Sequence, residues 1–429
     1  MLRSSRSRAV LFATCATAYA LGSMGSSWAQ GIPTSGVTPT PPAYPEYAPK
    51  GLPLGAFRLF PTLELALDSD DNVFRVNNGA KGDTFFEITP RLALQSQWSR
   101  HYVTLRGGAT DYQYNKYTSE NRVDWDVDGE GRIDVSQGTA IYGGASYRHT
   151  FEPRSSPDQL TSAAEPTPFN VAHADARIQV MPNRLGVTAG VNYDHYQYDP
   201  TKTFSPFPTI VESSNKDRDY TQWDFFTRMQ YEFSPGYSAF AHVAYNERTF
   251  EIHPDRNGVD RDSHGYRANV GVAMELTRLL TGEFYAGYLE QTYKAPLGRD
   301  SGFNYGAEIT WLPSPLVTVR ISASHLINET VVSSIDGVAT DSNEQRVAAG
   351  IDYSFRRNII LHGDVAYLHD TFTGAGREDD IGLASLGATY LINNYMNANF
   401  RYTYQNRDSN IPGQDYEDSI FRVGLGFQL

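Results

Sequence analysis

The stretch MNANFRYTYQ, residues 396–405, alternates apolar and polar residues at almost every step. Phe400 and Tyr402 share one parity, and Asn399 and Arg401 share the other. Because successive side chains of a β-strand point to opposite faces, this stretch predicts a strand with one apolar and one polar face. Two environments suit such a strand: the edge of a soluble core, or a barrel with lipid outside and water inside.

The same two-residue rhythm continues through most of the chain, and no helical stripe of comparable length competes with it. It is clear in LGVTAGVNYDHY (185–196), QWDFFTRMQYEF (222–233), LVTVRISASH (316–325) and RVAAGIDYSF (346–355). We count about eighteen such segments. They begin near Ala56, Thr84, Tyr102, Asn121, Thr139, Phe169, Arg184, Asp219, Gly236, Asp262, Leu280, Ser301, Val317, Ser342, Ile359, Asp380, Met396 and Asp415.

The connections between these segments are alternately short and long. Tight turns such as MPNR (181–184) and SPG (234–236) alternate with long polar loops such as 153–168 and 200–218. Outer-membrane barrels distribute periplasmic turns and extracellular loops in this way. The sequence therefore predicts an all-β fold: a transmembrane antiparallel outer-membrane β-barrel of about 18 strands over residues 56–429, in the outer membrane of a Gram-negative cell.

The first 55 residues do not share the rhythm. Residues 1–29 place three arginines before a short apolar run and end in small residues around Trp28, the layout of a cleaved signal peptide. Residues 30–55 are crowded with proline and predict a periplasmic linker. The only cysteine, Cys15, lies in the signal segment, so the mature chain has no thiol chemistry.

Charge and motifs exclude several classes of function. Without the three signal arginines, 33 basic (36 − 3) face 49 acidic residues, a net charge of −16, so nucleic acid is not an expected partner. No motif for nucleophilic, metal or phosphate chemistry appears, so we predict no enzyme, no catalytic residue, no cofactor and no dedicated metal site. Two acidic loops, 68–72 and 255–262, could hold Ca²⁺, although a solvated turn is the default interpretation of each.

The entry region, residues 44–75, resembles that of the Putative β-barrel porin 2 family. The resemblance rests on a Pro/Tyr-rich approach, Gly55–Phe57, Pro61 and the acidic turn Asp70–Phe74, and residues 82–107 look like the family's second hairpin. It implies a conduit for capsular polysaccharide or exopolysaccharide. It also implies a periplasmic polysaccharide-export protein as partner and polysaccharide in the lumen. The alternative is a general or substrate-selective diffusion porin for small solutes.

Parity also predicts which side chains line the lumen and which segment directs assembly. A barrel of this size leaves an aqueous channel, so charged residues on the polar parity are expected to face water. The predicted lumen-lining residues are Arg106, Arg148, Arg177, Asp224, Arg228, Glu308, Arg320, Arg346, Asp352, Arg401 and Arg422. The final strand resembles the signal read by the barrel assembly machinery at Phe421, Gly424, Phe427 and Leu429, and the apolar parity is expected to contact outer-membrane lipid and lipopolysaccharide.

Overall fold

A computed structural model describes residues 44–160, 162–205, 209–276, 279–334 and 337–429. Within these residues eighteen antiparallel strands form one closed barrel. No helix in the same residues is long and apolar enough to cross a membrane. The strands are β1 Phe57–Asp70, β2 Asp83–Ser96, β3 Tyr102–Tyr114, β4 Arg122–Ser136, β5 Thr139–Phe151, β6 Pro168–Val180, β7 Leu185–Tyr198, β8 Tyr220–Ser234, β9 Tyr237–Phe250, β10 Ser263–Leu276, β11 Leu280–Tyr293, β12 Arg299–Ser314, β13 Val317–Asn328, β14 Ser342–Arg356, β15 Ile359–Phe372, β16 Arg377–Leu391, β17 Met396–Ser409 and β18 Tyr416–Gln428.

The barrel closes where its first and last strands meet. Each strand pairs with its neighbours in the sequence, and β18 pairs with β1 from Thr62↔Gln428 to Asp70↔Ile420. Closure leaves the barrel wall without an edge strand, which is what a sheet in a lipid bilayer requires. The predicted fold and strand number are confirmed. The largest difference in a strand start is three residues, at β16, which begins at Arg377 and not at Asp380.

The two faces of the barrel follow the alternation. On β17, Phe400 is exposed on the outer face, whereas Thr403, Gln405 and Arg407 on the other parity are buried. The neighbouring strands present Leu386 and other large apolar side chains outward in the same way. Exposed apolar side chains on every strand form the band that a lipid bilayer covers.

The two ends of the barrel differ in their connections. Eight short turns, the start of β1 and the end of β18 lie at one end, and nine loops, several of them long, lie at the other. Two-residue turns at the first end contain Gly138 and Gly236, with φ of +78° and +79°. These are left-handed backbone conformations that glycine adopts without steric cost, so the strands reverse tightly.

Five short strands outside the barrel wall were not predicted. Leu52–Leu54 pairs antiparallel with the start of β1, and the prediction of a periplasmic linker over residues 30–55 stays a prediction. The backbone of Leu52–Leu54 finds partners because Gly55, with φ of +62°, turns the chain back. Within the long loops, Thr201–Phe204 pairs with Ile210–Ser213, and Ser333–Ser334 pairs with Gly337–Val338.

The predicted signal peptide and residues 30–43 of the predicted linker lie outside the described residues. Residues 44–51 are described, and they lie against the end of the barrel that carries the short turns. Glu46 forms an ion pair with Arg357 (3.0 Å), and the Tyr47 carbonyl accepts a hydrogen bond from Gln428 (3.0 Å). The approach to β1 is therefore attached to the rim of the barrel.

Candidate functional site: the lumen and its capped mouth

Side chains on the polar parity converge across the inside of the barrel. Arg228 on β8 contacts Glu283 on β11 at 3.0 Å, although β9 and β10 lie between their strands. Arg422 on β18 similarly contacts Glu87 on β2, across β1, at 2.5 Å. Side chains of non-adjacent strands approach one another only on the concave side of a curved sheet, so this parity is the inner face.

All eleven residues predicted to line the lumen share the inner-face parity, by strand register and burial pattern. Several join ion pairs with neighbouring strands, such as Arg320 with Asp352 at 2.6 Å and Arg401 with Asp364 at 3.5 Å. The Arg177 guanidinium lies 4.5 Å from the centroid of the Tyr142 ring. Which of these side chains a solute touches stays a prediction.

The inner-face residues differ in access to water. Arg148 and Glu308 are exposed on the inner face, and Arg346 is half-buried. Asp224 and Arg228 are buried, and Gln222 donates a hydrogen bond to Asp224 at 2.7 Å. The inner face is thus accessible at Arg148 and Glu308 and more closely packed around Asp224 and Arg228.

One strand carries a row of acidic side chains on the inner face. The residues are Asp124, Asp126, Asp128, Glu130 and Asp134, all on β4. Arginines partner this row from within β4 and from neighbouring strands. Arg106 contacts Asp128 at 2.9 Å and Glu130 at 3.0 Å, and Arg91 contacts Asp126 at 3.2 Å. These pairs are partly exposed, so they offer a solute both signs of charge along one wall.

A loop crosses the mouth of the barrel, the opening at the end that carries the long loops. Residues 152–160 and 162–167, here called the crossbar, follow β5, and their Asp158 reaches the loop that follows β13. Asp158 Oδ1 accepts hydrogen bonds from Thr330 Oγ1 (2.5 Å) and from the Val331 backbone N–H (2.8 Å). Seven strands lie between β5 and β13 one way around the barrel and nine the other, so the crossbar spans nearly the full width of the mouth.

The base of the crossbar is held by a buried ion pair. Glu152 and Arg218 form two hydrogen bonds, of 2.8 and 3.0 Å, and both side chains are buried. The Arg218 guanidinium also lies 4.1 Å from the centroid of the Tyr198 ring on β7. A bidentate pair of this kind fixes orientation as well as distance, so it sets the direction in which the crossbar leaves the wall.

Two further contacts support the crossbar from the other side. Arg154 forms hydrogen bonds of 2.6 and 3.0 Å with Glu120, which lies in the loop after β3. Arg407 on β17 donates a hydrogen bond to the Ser155 carbonyl. The crossbar thus has partners on several sides of the barrel.

Neighbouring loops complete a cap over the mouth, which we define as residues 152–160, 162–167, 199–205, 209–219, 251–262, 329–334 and 337–341. Arg261 is buried and contacts Asp255 at 2.7 Å, and it donates to the Ala339 carbonyl at 3.1 Å. Arg256 similarly joins Asp217 at 2.6 Å. Arg261 and Arg256 thus link loops that are far apart in the sequence.

Beneath the cap, one part of the barrel interior is packed with aromatic and aliphatic side chains. The members of this cluster are Phe169, Val171, Tyr196, Tyr198, Tyr220 and Phe250. Tyr196 stacks on Tyr220 with ring centroids 4.5 Å apart. The barrel and the cap bury these rings together, as the contact of Arg218 with the Tyr198 ring shows.

Burial in the cap changes the acidity of several carboxyl groups. It raises the pKa of Asp158 despite the opposing charge of Arg218. Burial, followed by the charge of Asp300, raises the pKa of Asp341 to about 8. Near Asp217 burial acts in the same direction, but hydrogen bonds from Arg256 outweigh it and lower the pKa of that carboxyl group. The cap therefore contains groups that titrate outside their usual range.

Residues that build the cap were not found by sequence reasoning. Glu152, Asp158, Arg218 and Arg261 lie in loops, where no periodic pattern marks a side chain as buried. Their partners are distant in the chain, for example 172 positions between Asp158 and Thr330. A charged residue in a polar loop predicts solvation, and only the folded barrel brings these charges together.

The final strand has the alternation that the assembly prediction requires. Phe421 and Leu429 are exposed, Phe427 is half-buried, and Gly424 lies on the inner parity. The role of these residues in assembly stays a prediction.

A match to a family model decides the affiliation of this chain. The model described as Putative beta-barrel porin 2 matches residues 44–429, the whole barrel and its approach. The chain belongs to this family. The resemblance in the entry region is therefore confirmed, and the protein is an outer-membrane β-barrel porin.

Other comparisons give similarity of fold at low sequence identity, and no curated protein matches the chain. OpdK from Pseudomonas aeruginosa is 12% identical, with a TM-score of 0.46, over 86% of this chain and 99% of that one. A BenF-like porin from Pseudomonas fluorescens Pf-5 is 12% identical, with a TM-score of 0.46, over 88% and 100%. The siderophore receptor PiuA from Acinetobacter baumannii is 8% identical, with a TM-score of 0.48, over 89% and 82%.

Proposed function

We propose that this porin is a selective diffusion channel for small polar solutes, with the crossbar as its size-limiting element. The observation that carries the proposal is that the crossbar spans the mouth, with Asp158 hydrogen-bonded to the loop that holds Thr330. A small solute can pass beside such a segment, whereas a wide polymer requires it to move. Charged side chains of both signs on the inner face suit polar cargo.

Solute flux through the purified protein tests the proposal. In liposomes, sugars of increasing size should enter at rates that fall steeply with size. A variant in which residues 155–163 are replaced by a short Gly/Ser segment should admit larger sugars, because the contacts of Ser155 and Asp158 are lost. A matched control shortens the loop after β11, residues 294–298, and should keep the wild-type size limit. An unchanged limit in the crossbar variant would exclude the crossbar as the size filter.

Export of capsular polysaccharide or exopolysaccharide is the second candidate. It is favoured by the family resemblance in residues 44–75, and it carries with it the periplasmic polysaccharide-export partner. In this alternative the crossbar is a gate that must leave the mouth during export. The attached approach segment, through Glu46 and Tyr47, would then lie beside the periplasmic opening where such a partner binds.

A deletion strain separates the two candidates. The diffusion channel predicts normal surface polysaccharide and slower growth on one or more small nutrients. The export conduit predicts loss of one secreted polymer with normal nutrient uptake. The double variant Arg346→Ala with Arg401→Ala, expressed from a complementing plasmid, should change the rate of transport in either case, because both residues lie on the inner face. Its folded barrel should still migrate as a heat-modifiable band.

A further inference from the structure

Acidic side chains are concentrated where the barrel closes, at the end that carries the cap. Asp70 ends β1, Asp71 follows it, and Asp418 lies on β18 beside them. One carboxylate oxygen from each lies within 4.8 Å of the other two. Asp70 and Asp418 are buried, and Asp71 is exposed, which leaves a path from the outside to the cluster. We call these three residues the seam cluster.

The seam cluster has more negative charge than its neighbouring cation balances. Arg75 contacts Asp70 at 3.0 Å and Asp418 at 3.0 Å, so one guanidinium serves two carboxylates. Asp68 lies two positions deeper on the same face of β1. Its nearest cation is Arg422, at 3.7 Å, which is shared with two other carboxylates. Arg75 thus pairs with two of the three carboxylates of the seam cluster, and Asp68 shares Arg422 with Glu64 and Glu87.

Two of these carboxylates have oxygens with no hydrogen-bond partner among the described residues. They are Oδ1 of Asp418, whose side chain is 1% exposed, and both oxygens of Asp68, which is 0% exposed. A buried carboxylate oxygen without a donor is costly, because it has lost its hydration and gained nothing in return. Because Asp418 is a member of the seam cluster, its unpartnered oxygen lies at the site.

The local backbone holds the cluster in place independently of any ion. Asp71 Oδ1 accepts a hydrogen bond from the Ser419 N–H (2.8 Å), and the Asn72 side chain donates to the Glu417 carbonyl (2.8 Å). Asp71 and Asn72 therefore link β18 to the end of β1. Because both sides of the seam are fixed, the carboxylates are preorganised and do not have to be gathered by a ligand.

We propose that the seam cluster binds a divalent cation of the Ca²⁺ type and that the ion fastens the first strand of the barrel to the last. Ca²⁺ prefers clustered oxygen ligands with flexible geometry, and carboxylates from Asp70, Asp71 and Asp418 supply them. The ion would neutralise the negative charge that Arg75 does not balance. It would also occupy the unpartnered oxygen of Asp418.

Calcium titration of the purified, refolded protein in detergent, after removal of metal with EDTA, tests the site. The wild type should show saturable Ca²⁺ binding by calorimetry, and Ca²⁺ should raise the temperature at which the folded band is lost in heat-modifiability gels. Asp418→Asn should weaken binding by about tenfold or more, because ligand charge sets Ca²⁺ affinity. Glu417→Gln, an equal loss of charge on the neighbouring outward-facing residue, should bind Ca²⁺ as the wild type does.

Two more variants keep the test decisive. Asp71→Asn changes an exposed ligand and should also weaken Ca²⁺ binding. It replaces Asp418→Asn in the test if that variant does not fold. Arg75→Gln removes the competing cation and should strengthen Ca²⁺ binding. The proposal is overturned if the folded wild type shows no saturable binding, or if the Asp418 and Glu417 variants titrate alike. It is also overturned if Arg75→Gln loses stability without gaining affinity for Ca²⁺.

Discussion

The two ends of this barrel are built on different principles. At the end where β1 begins and β18 ends, two-residue turns that contain Gly138 and Gly236 reverse the chain direction. At the other end, loops bury charged side chains such as Glu152 and Arg218 and join across the mouth. The first end depends on local backbone geometry, and the second on contacts between distant residues. A barrel can therefore lose its cap and keep its strands.

The largest effect is expected from Glu152→Ala. Removing one partner of a buried ion pair leaves Arg218 uncompensated, which costs about 3–5 kcal/mol. The crossbar should detach while the barrel stays folded, because no barrel strand pairing involves Glu152 in the cap. Single-channel conductance should rise. Trypsin should cut after Arg154 in the variant but not in the wild type.

Arg132→Ala is the control at the other end. Arg132 is partly exposed and contacts Asp134 at 2.6 Å near a short turn. An exposed pair contributes about 0–1 kcal/mol, so the mouth and the trypsin resistance should not change. Equal conductance of the Glu152→Ala variant and the wild type, with Arg154 still protected, would contradict the separation of cap and barrel.

A smaller effect is expected from Asp158→Ala. Oδ1 of Asp158 accepts two hydrogen bonds, and its loss leaves the Val331 N–H without its partner, at a cost of about 1–3 kcal/mol. Hydrogen exchange at Val331 should become faster, and short opening events should become more frequent. Asp158→Asn keeps an oxygen at that position and should lie closer to the wild type. The same exchange rate in all three proteins would mean that the tip of the crossbar is held by other contacts.

The cap should also respond to pH, through Asp341. Its pKa is raised from 3.8 to about 8 by burial and by Asp300, so the closed cap keeps a proton that the detached loop releases. Stability of the closed cap should therefore fall as pH rises from about 4 to about 8 and then level off. Open probability in planar bilayers should increase over the same range. Asp341→Asn, which stays uncharged, should reduce this dependence, and a variant with the full wild-type response would exclude Asp341 as its source.

The smallest effect on stability, about 0–1 kcal/mol, is expected from Arg106→Ala in the open part of the lumen. Arg106 is partly exposed and contacts Asp128 and Glu130. Its removal leaves the acidic row of β4 with less positive charge, so the reversal potential in a salt gradient should shift toward cation selectivity. Glu308→Gln should shift it in the opposite direction. No shift in either variant would mean that the conducting path avoids these walls.

Strand positions and facing could be predicted closely from the sequence. Alternation places Phe400 outside and Arg401 inside without knowledge of any contact, because a strand has a side-chain period of two and lipid and water lie on opposite faces. The inner-face placement of Arg228 and Arg422 follows from the same rule. Which partner each arginine takes does not follow from it. Arg228 contacts Glu283 across two intervening strands, and that distance depends on barrel curvature.

The sequence by itself determined the barrel, its eighteen strands and the face of each side chain, because these depend on a periodic pattern that each strand carries within itself. Only the tertiary structure decided how the mouth is covered and how the seam is joined. Asp158 and Thr330 are 172 residues apart, and Asn72 and Glu417 are 345 apart. Such pairs meet only after closure brings opposite walls and the two end strands together, and no local pattern records that meeting.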